Sequence, residues 1–151
     1  MLAAGDRADV RLAIELERCR ERAPAEACRL AEAVAEEAQV LDLMGHATAA
    51  RVLTLFMLCA QGRDAEAAAR WPGVCAAAMT LAPSGLDRPT HWLQLACAAE
   101  RLGNKADART LREHEAAWTS RAAATLPAAL QAGFLSRVRA DRRRWGDPTR
   151  S

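Results

Sequence analysis

The chain has 151 residues, 51% of them hydrophobic, and a formal net charge of +2 at pH 7. This length and apolar fraction suffice for one packed domain and exclude a disordered chain. Alanine and leucine dominate the apolar residues, tyrosine is absent and phenylalanine occurs twice, which favours helices over strands, so we expect an all-α fold.

Glycine and proline residues divide the sequence into seven predicted helices. Six of these helices span about 8–22, 24–44, 47–61, 90–102, 104–125 and 127–145, and the fourth helix in chain order begins near residue 63. Pro72 predicts a kink or break in that fourth helix. The third helix is apolar nearly all round and should be the most buried. We expect one domain over 1–145, consisting of a capping helix (1–23), helical hairpins (24–126) and a terminal helix (127–145), followed by a frayed tail (146–151).

Three predicted turns share a spacing of glycine and alanine. A glycine after a helix can adopt the left-handed conformation that a helix C-terminus prefers. An alanine one turn into the next helix lets two antiparallel helices approach closely. The three pairs are Gly45-x4-Ala50, Gly62-x4-Ala67 and Gly103-x4-Ala108.

The stretch from Trp92 to Ala108 resembles a tetratricopeptide repeat, whose pattern is W-x2-L-G-x2-Y followed by A-x3-F. The matching residues are Trp92, Leu95, Ala96 and Ala108, all interpreted as packing residues. Ala99 replaces the tyrosine, and Arg112 stands where the pattern has phenylalanine. The resemblance implies an α-solenoid of about seven antiparallel helices that binds partners on its concave side.

A longer region, residues 30–145, resembles the C-terminal tetratricopeptide-like part of bacterial LuxR-family activators and ATPase-linked signalling regulators. The similar segments are "LAEAVAEEAQVLDLMGHATAARVL", "LACAAERLGNKADARTL" and "LPAALQAGFLSRVRADRRRW". The resemblance implies a non-catalytic sensory or protein-interaction arm, because nucleotide and DNA chemistry in these regulators belongs to other domains. The chain would be an excised C-terminal piece or a free-standing relative.

Catalytic and cofactor-binding patterns are lacking. No glycine-rich phosphate loop occurs, and "HEAAW" at 114–118 has Trp118 where the helical zinc motif needs its second histidine. The five cysteines form no C-x-x-C pair and lie in apolar segments typical of a core. His46 and His91 are interpreted as helix-end residues, with Thr90 as a candidate cap. We expect no enzyme activity, no metal and no cofactor.

Two surfaces are candidates for a partner. Trp92, Leu95 and Ala96 would form a packing ridge on the fifth helix. Four residues beside this ridge would face outward and could hold a peptide or helix: Leu93, Cys97, Glu100 and Arg101. The alternative is a basic stripe for nucleic acid or another polyanion, although cations at a helix C-terminus are also stabilised by the helix dipole; its residues are Arg139, Arg142, Arg143 and Arg144. Residues 136–151 carry six arginines and two aspartates, hence a net charge of +4 against −2 for the remainder. A small-molecule pocket between helices is a third alternative.

Charge and hydropathy predict the compartment. The charge at Asp6 comes too early for a secretory signal, and the longest apolar run, 52–60, is too short to span a bilayer. We therefore expect a cytoplasmic protein without a membrane partner. The sequence leaves its oligomeric state open.

Overall fold

Seven α-helices and no strand make up the regular structure in the computed structural model, which describes residues 4–81, 85–86 and 88–145. The all-α prediction is therefore confirmed for this part of the chain, while the predicted frayed tail, 146–151, lies outside it. The helices are α1 (Ala4–Arg20), α2 (Pro24–Val40), α3 (Met44–Ala60), α4 (Asp64–Met79), α5 (Pro89–Arg101), α6 (Lys105–Ala124) and α7 (Ala128–Trp145).

Helix α3 lies at the centre of the packing. It contacts α1, α2, α4 and α5, and its residues 47–59 are all buried except half-buried Arg51. Such burial follows from a sequence that is apolar on every side. Helix α5 contacts α3, α6 and α7 and is buried over ten consecutive residues, 90–99. Twelve of the 17 residues of α3 and ten of the 13 residues of α5 are buried, so the extensive burial predicted for α3 is confirmed, but α5 is at least as enclosed.

Three of the connections between helices have the same geometry. Each contains one residue with a left-handed backbone, and the N–H group of the following residue donates to a carbonyl five residues earlier, as at many helix C-termini. The left-handed residues are Asp42 (φ 58°), Gly62 (φ 71°) and Gly103 (φ 85°). The corresponding N–O distances are 2.8 Å for Leu43–Ala38, 2.9 Å for Arg63–Leu58 and 2.8 Å for Asn104–Ala99.

The first of these turns, between α2 and α3, differs from the predicted turn at Gly45. Helix α2 ends at Val40 and not near residue 44, and Gly45 lies inside α3. Asp42 takes the left-handed position instead, because aspartate tolerates this conformation better than most residues. The alanine five residues after the left-handed residue is therefore Ala47, as Ala67 and Ala108 are in the other two turns. These three alanines are 0%, 0% and 2% exposed, so each turn leads into a close contact.

Of the kink or break predicted at Pro72, the break is wrong. Helix α4 runs without a break from Asp64 to Met79 with Pro72 inside it. A proline within a helix leaves the carbonyl four residues earlier without its usual N–H donor. Here that carbonyl belongs to Ala68, and both Ala68 and Pro72 are exposed. Water can satisfy the carbonyl, which removes most of the reason to end the helix.

Two glycines in helices predict opposite effects of the same substitution. A Cβ atom on Gly73 would meet nothing within 4 Å, so Gly73→Ala should raise the free energy of unfolding by about 0.5–1 kcal/mol through helix propensity. A Cβ atom on Gly45 would lie 2.9 Å from the carbonyl oxygen of Gly85. Because backbone must then move, Gly45→Ala should lower the free energy of unfolding by about 1 kcal/mol or more. Urea denaturation followed by circular dichroism measures both, and shifts of the same sign would contradict this account.

The connection between α4 and α5 is fixed to the rest of the molecule at Leu86. This side chain is fully buried, and its carbonyl oxygen accepts a hydrogen bond of 3.0 Å from Nε1 of Trp118 on α6. The contact holds the start of α5 beside α6.

Candidate interaction surfaces

The predicted ridge of α5 belongs to the core. Trp92, Leu95 and Ala96 are fully buried, and Ala108 of α6 is 2% exposed. The ring of Trp92 lies against the imidazole of His114, with 4.8 Å between ring centroids and 42° between planes. The packing role predicted for these residues is confirmed, and the ridge offers no surface to a partner.

His114 also has a packing role. Its Nδ1 atom lies 2.9 Å from the carbonyl oxygen of Thr110. Because a carbonyl oxygen only accepts, Nδ1 carries the proton and donates. The neighbouring Glu113 is exposed whereas Glu115 is buried, so the three polar residues point to different surroundings. The described residues contain no group of three histidine, cysteine or acidic side chains that could hold a metal ion.

The outward-facing position predicted for Leu93 and Cys97 is wrong. Each is only 3% exposed, because α5 is enclosed by α3, α6 and α7. A helix that is surrounded by three others has little exposed surface. The periodicity of its own sequence does not reveal these neighbours and so could not predict the burial of Leu93 and Cys97. These two side chains do not line a groove open to a partner.

Glu100 and Arg101 are exposed but take part in ion pairs between helices. Glu100 accepts two hydrogen bonds of 3.0 Å from Arg112 of α6. The Nε atom of Arg101 lies 2.7 Å from the carboxylate of Asp64 at the start of α4. Their assignment to a partner-binding surface stays a prediction, and the structure does not bring them together with an open apolar groove.

The basic stripe of α7 is partly neutralised within the chain. Arg142 binds both carboxylate oxygens of Glu115 at 3.0 Å, and the side chain of Glu115 is only 7% exposed. Thr119 donates to the same carboxylate at 3.3 Å. Arg142 therefore attaches α7 to α6, a role that its helical spacing did not reveal.

Of the other three stripe arginines, one is also paired with a carboxylate and two are exposed. Arg144 lies 3.2 Å from both carboxylate oxygens of Glu21, between α1 and α2. Arg139 and Arg143 are exposed, and neither forms an ion pair with the side chains that the structure describes. Two of the four predicted polyanion-binding arginines thus face solvent without a carboxylate partner in this part of the chain.

A buried polar cluster joins the end of α1 to the start of α5. The side chain of Arg20 is 5% exposed and donates to Thr90 Oγ1 at 2.7 Å and to His91 Nδ1 at 3.3 Å. Because guanidinium only donates, Nδ1 of His91 accepts and carries no proton. His91 lies in the first turn of α5, as predicted for a helix-end residue, but it is buried, whereas the capping role predicted for Thr90 is wrong. Helix α5 begins after Arg88 without a side-chain cap.

Gln94 is a second polar side chain inside α5 and is fully buried. Neither its amide nitrogen nor its amide oxygen has a hydrogen-bond partner among the described residues. A buried amide without such a partner costs roughly 1–3 kcal/mol of stability. Its burial was not predicted, because glutamine is usually exposed.

The cysteines behave as core residues. Four of them, Cys19, Cys28, Cys59 and Cys97, are buried, and Cys75 is half-buried. Burial disfavours the charged thiolate and raises the pKa of Cys59 to about 11. It also raises the pKa of Cys19, Cys28 and Cys75. A thiol with a raised pKa is a poor nucleophile at neutral pH.

This burial predicts the order of thiol labelling. At pH 7.5 and in excess Ellman's reagent, we expect Cys75 to react first and the four buried thiols to react more slowly by at least tenfold. All five thiols should react rapidly in 6 M guanidinium chloride. Stopped-flow absorbance measures the phases, and Cys75→Ser should remove the first one. Fast native labelling of the Cys75→Ser variant would contradict the burial of the others.

Residues that the structure describes also line two open depressions, which are candidate binding surfaces. The first, about 720 Å³, lies between α2 and α4 over α3. Its walls carry small side chains such as Ala35 and Ala69, and an ion pair of 2.6 Å between Glu32 and Arg70 joins its two sides. Its exposed charges largely balance, since Glu32, Glu36, Arg51 and Arg70 all line it.

The second depression, here named the α1 furrow, follows the outer face of α1. Its larger part, about 610 Å³, is lined by one face of α1 and by Glu21, His46 and Arg88; the α1 residues are Asp9, Val10, Ala13, Ile14, Glu17 and Arg18. A smaller part, about 340 Å³, is lined by Met44 and neighbouring residues at the start of α3. Asp9 and His46 line both parts, and their Oδ1 and Nε2 atoms lie 2.5 Å apart.

Comparisons with protein-family models, with curated proteins and with solved structures find no match to this chain. The resemblance to tetratricopeptide-like regulators therefore stays a prediction. In the part of the chain that the structure describes, no helix combines the length and the apolar character needed to cross a membrane.

Proposed function

We propose that the chain is a non-catalytic protein-interaction or sensory module of a bacterial, cytoplasmic regulatory system, built as a tetratricopeptide-like array of antiparallel hairpins. The observation that carries this proposal is the order of helix contacts. Helix α1 contacts α3, α3 contacts α5, and α5 contacts α7, while α2, α4 and α6 each lie against an odd-numbered neighbour. Stacked helical hairpins produce this alternation, because first helices pack on first helices.

The repeated turns support the same architecture. Each pairs a left-handed residue with a buried alanine five residues later, so three connections lead into the same kind of close helix contact. Modules of this kind display a surface on a rigid frame and bind a peptide or helix along it. The function would then depend on surface shape and charge and would require no reacting group.

The proposal is tested by using the tagged full chain to capture partners from extracts of the source cells with and without nuclease. Proteins identified by mass spectrometry are then purified and titrated against the chain by calorimetry. We expect at least one protein that binds saturably at a fixed stoichiometry and whose capture does not depend on nuclease. Capture of nucleic acid alone, or of proteins without saturable binding, would overturn the proposal.

The polyanion alternative is favoured by the exposed guanidinium groups of Arg139 and Arg143, and it makes a different prediction. If it holds, Arg139→Glu/Arg143→Glu should weaken binding to a 20-base-pair DNA duplex by at least tenfold, and affinity of the unchanged chain should fall steeply with salt. These positions are preferred over Arg142 and Arg144 because they form no ion pair with the described side chains, so folding should be unaffected. Fluorescence anisotropy measures the affinity, and Arg29→Glu, also exposed, is the control. Undiminished binding by the double variant would refute this alternative.

A further inference from the structure

We propose that α7 masks a binding site: the surface of α5 and α6 beneath it accepts, in exchange for α7, an amphipathic partner helix that carries an arginine at the position of Arg142. The inference rests on the proposed interaction function and deepens it by naming the surface and the chemistry of the partner. The structure then shows the site occupied by the chain's own helix.

Helix α7 lies against the other helices in the way that a bound amphipathic helix lies in a groove. It contacts α5 and α6. Its buried and half-buried residues recur at spacings of three and four, whereas the other residues from 128 to 144 are exposed. These less exposed residues are Gln131, Phe134, Leu135, Val138 and Asp141. Anchors at such spacings are typical of a helix that binds through one face.

This attachment of α7 is weak. The main hydrophobic core extends from Leu12 to Leu111 and contains no described residue of α7. Val138, 6% exposed, is the one buried side chain among those described in α7. The ion pair between Arg144 and Glu21 is more than half exposed on both sides, and such pairs stabilise little. An element with so few buried contacts can detach at a lower free energy than global unfolding requires.

The surface beneath α7 offers an apolar contact. Among the described residues, Leu93 and Val138 are the two buried apolar side chains that lie outside the main core. Helix α5 contacts α7, and a mutual contact of these two side chains accounts for their burial away from the core. Detachment of α7 therefore exposes Leu93 to another helix.

Glu115 determines the charge of that helix. Its side chain is 7% exposed, and both carboxylate oxygens accept hydrogen bonds of 3.0 Å from Arg142. A helix that covered Glu115 without a cation would bury an unpaired carboxylate, which is costly. The planar guanidinium group suits such a two-point contact better than an ammonium group does. Because Val138 and Arg142 are four residues apart on one side of α7, the partner helix should carry an apolar residue four positions before an arginine.

The test adds the sequence of α7 back as a separate peptide. A fluorescent peptide of residues 127–145 is titrated by anisotropy against the full chain and against its Val138→Asp variant, in which a buried charge should detach α7. Leu130→Asp is the matched control, because Leu130 lies on α7 and is 57% exposed. Circular dichroism establishes that the variants are folded, and Phe134→Asp, at a half-buried position, replaces Val138→Asp if that chain does not fold.

We expect the peptide to bind Val138→Asp at least tenfold more tightly than the unchanged chain or Leu130→Asp, because a docked α7 competes at high effective concentration. A peptide with Arg142→Ala should bind Val138→Asp at least tenfold more weakly. A peptide with Arg143→Ala should bind it as well as the unchanged peptide, since Arg143 is exposed and forms no ion pair with the described side chains.

The same variant connects this surface to a partner. In the capture experiment above, the Val138→Asp chain should retain severalfold more of the partner protein, and the free peptide should release it. Absence of peptide binding to a folded Val138→Asp chain, equal losses for the two arginine peptides, or partner capture that Val138→Asp does not increase would each overturn the inference. These results leave the proposed interaction function standing, because capture by the unchanged chain tests that function independently.

Discussion

Replacing Trp92 with alanine should lower the free energy of unfolding by about 3–5 kcal/mol. The side chain is fully buried, and its ring lies 4.8 Å from that of His114 between centroids. Alanine would leave a cavity between α5 and α6 and expose the imidazole to empty space. Because a domain of this size is stabilised by only about 5–15 kcal/mol, a large fraction of its stability would be lost.

Urea denaturation monitored by circular dichroism measures this loss. Trp92→Phe is the matched variant, because it keeps an aromatic ring in the same place and should lose less than half as much stability. If Trp92→Ala does not fold at all, the stability of Trp92→Phe still tests the packing of this side chain. A loss below 1 kcal/mol for Trp92→Ala would contradict the packing of α5 described above.

The helices could be predicted from local sequence to a large extent, and the turns show where this reasoning fails. Gly62 and Gly103 are in the left-handed conformation expected of them. At the first turn the sequence offered Gly45 as the stronger signal, whereas Asp42 adopts this conformation. Aspartate also occurs at helix starts and on exposed faces, so its presence alone does not predict a left-handed residue.

The environment of α5 could not be predicted from its own sequence. Its periodicity places the ridge correctly but assigns Leu93 and Cys97 to an open face. Their burial depends on α3, α6 and α7, and that of His91 depends on Arg20, which is 71 residues away in the chain. Long-range neighbours decide which polar residues enter a core, and a single sequence does not show them.

The sequence also could not show which charged side chains of the candidate surfaces are free to bind a partner. Helical spacing predicts a basic stripe from Arg139 to Arg143, but ion pairs decide which guanidinium groups are available. Glu115 is 27 residues from Arg142 in the chain and receives two of its hydrogen bonds. The α1 furrow was not predicted either. Its apolar side chains, Val10 and Ile14, are about half exposed on the side of α1 away from the buried Leu12, Leu16 and Cys19.

Replacing Ala108 with tryptophan should be about as damaging as removing Trp92, although it adds volume to the core. Ala108 is 2% exposed, and it lies one turn into α6, where α5 and α6 approach. Overpacking such a site forces backbone apart, and for so large a side chain we expect a loss of about 3 kcal/mol or more. Urea denaturation measures it. Ala116→Trp, at an exposed position of the same helix, should change the free energy of unfolding by less than about 0.5 kcal/mol.

The shared geometry of the three turns extends this prediction. Ala47 and Ala67 occupy the position of Ala108 in the other two turns and are fully buried. Ala47→Trp and Ala67→Trp should therefore cause losses of stability similar to that of Ala108→Trp. The glycine spacing had paired Gly45 with Ala50, but the left-handed residue of the first turn is Asp42, and Ala47 lies five residues after it. Three large losses would support a repeated close approach of helices at all three turns. An unchanged unfolding midpoint for Ala108→Trp would refute the close contact of α5 and α6 on which the proposed hairpin array depends.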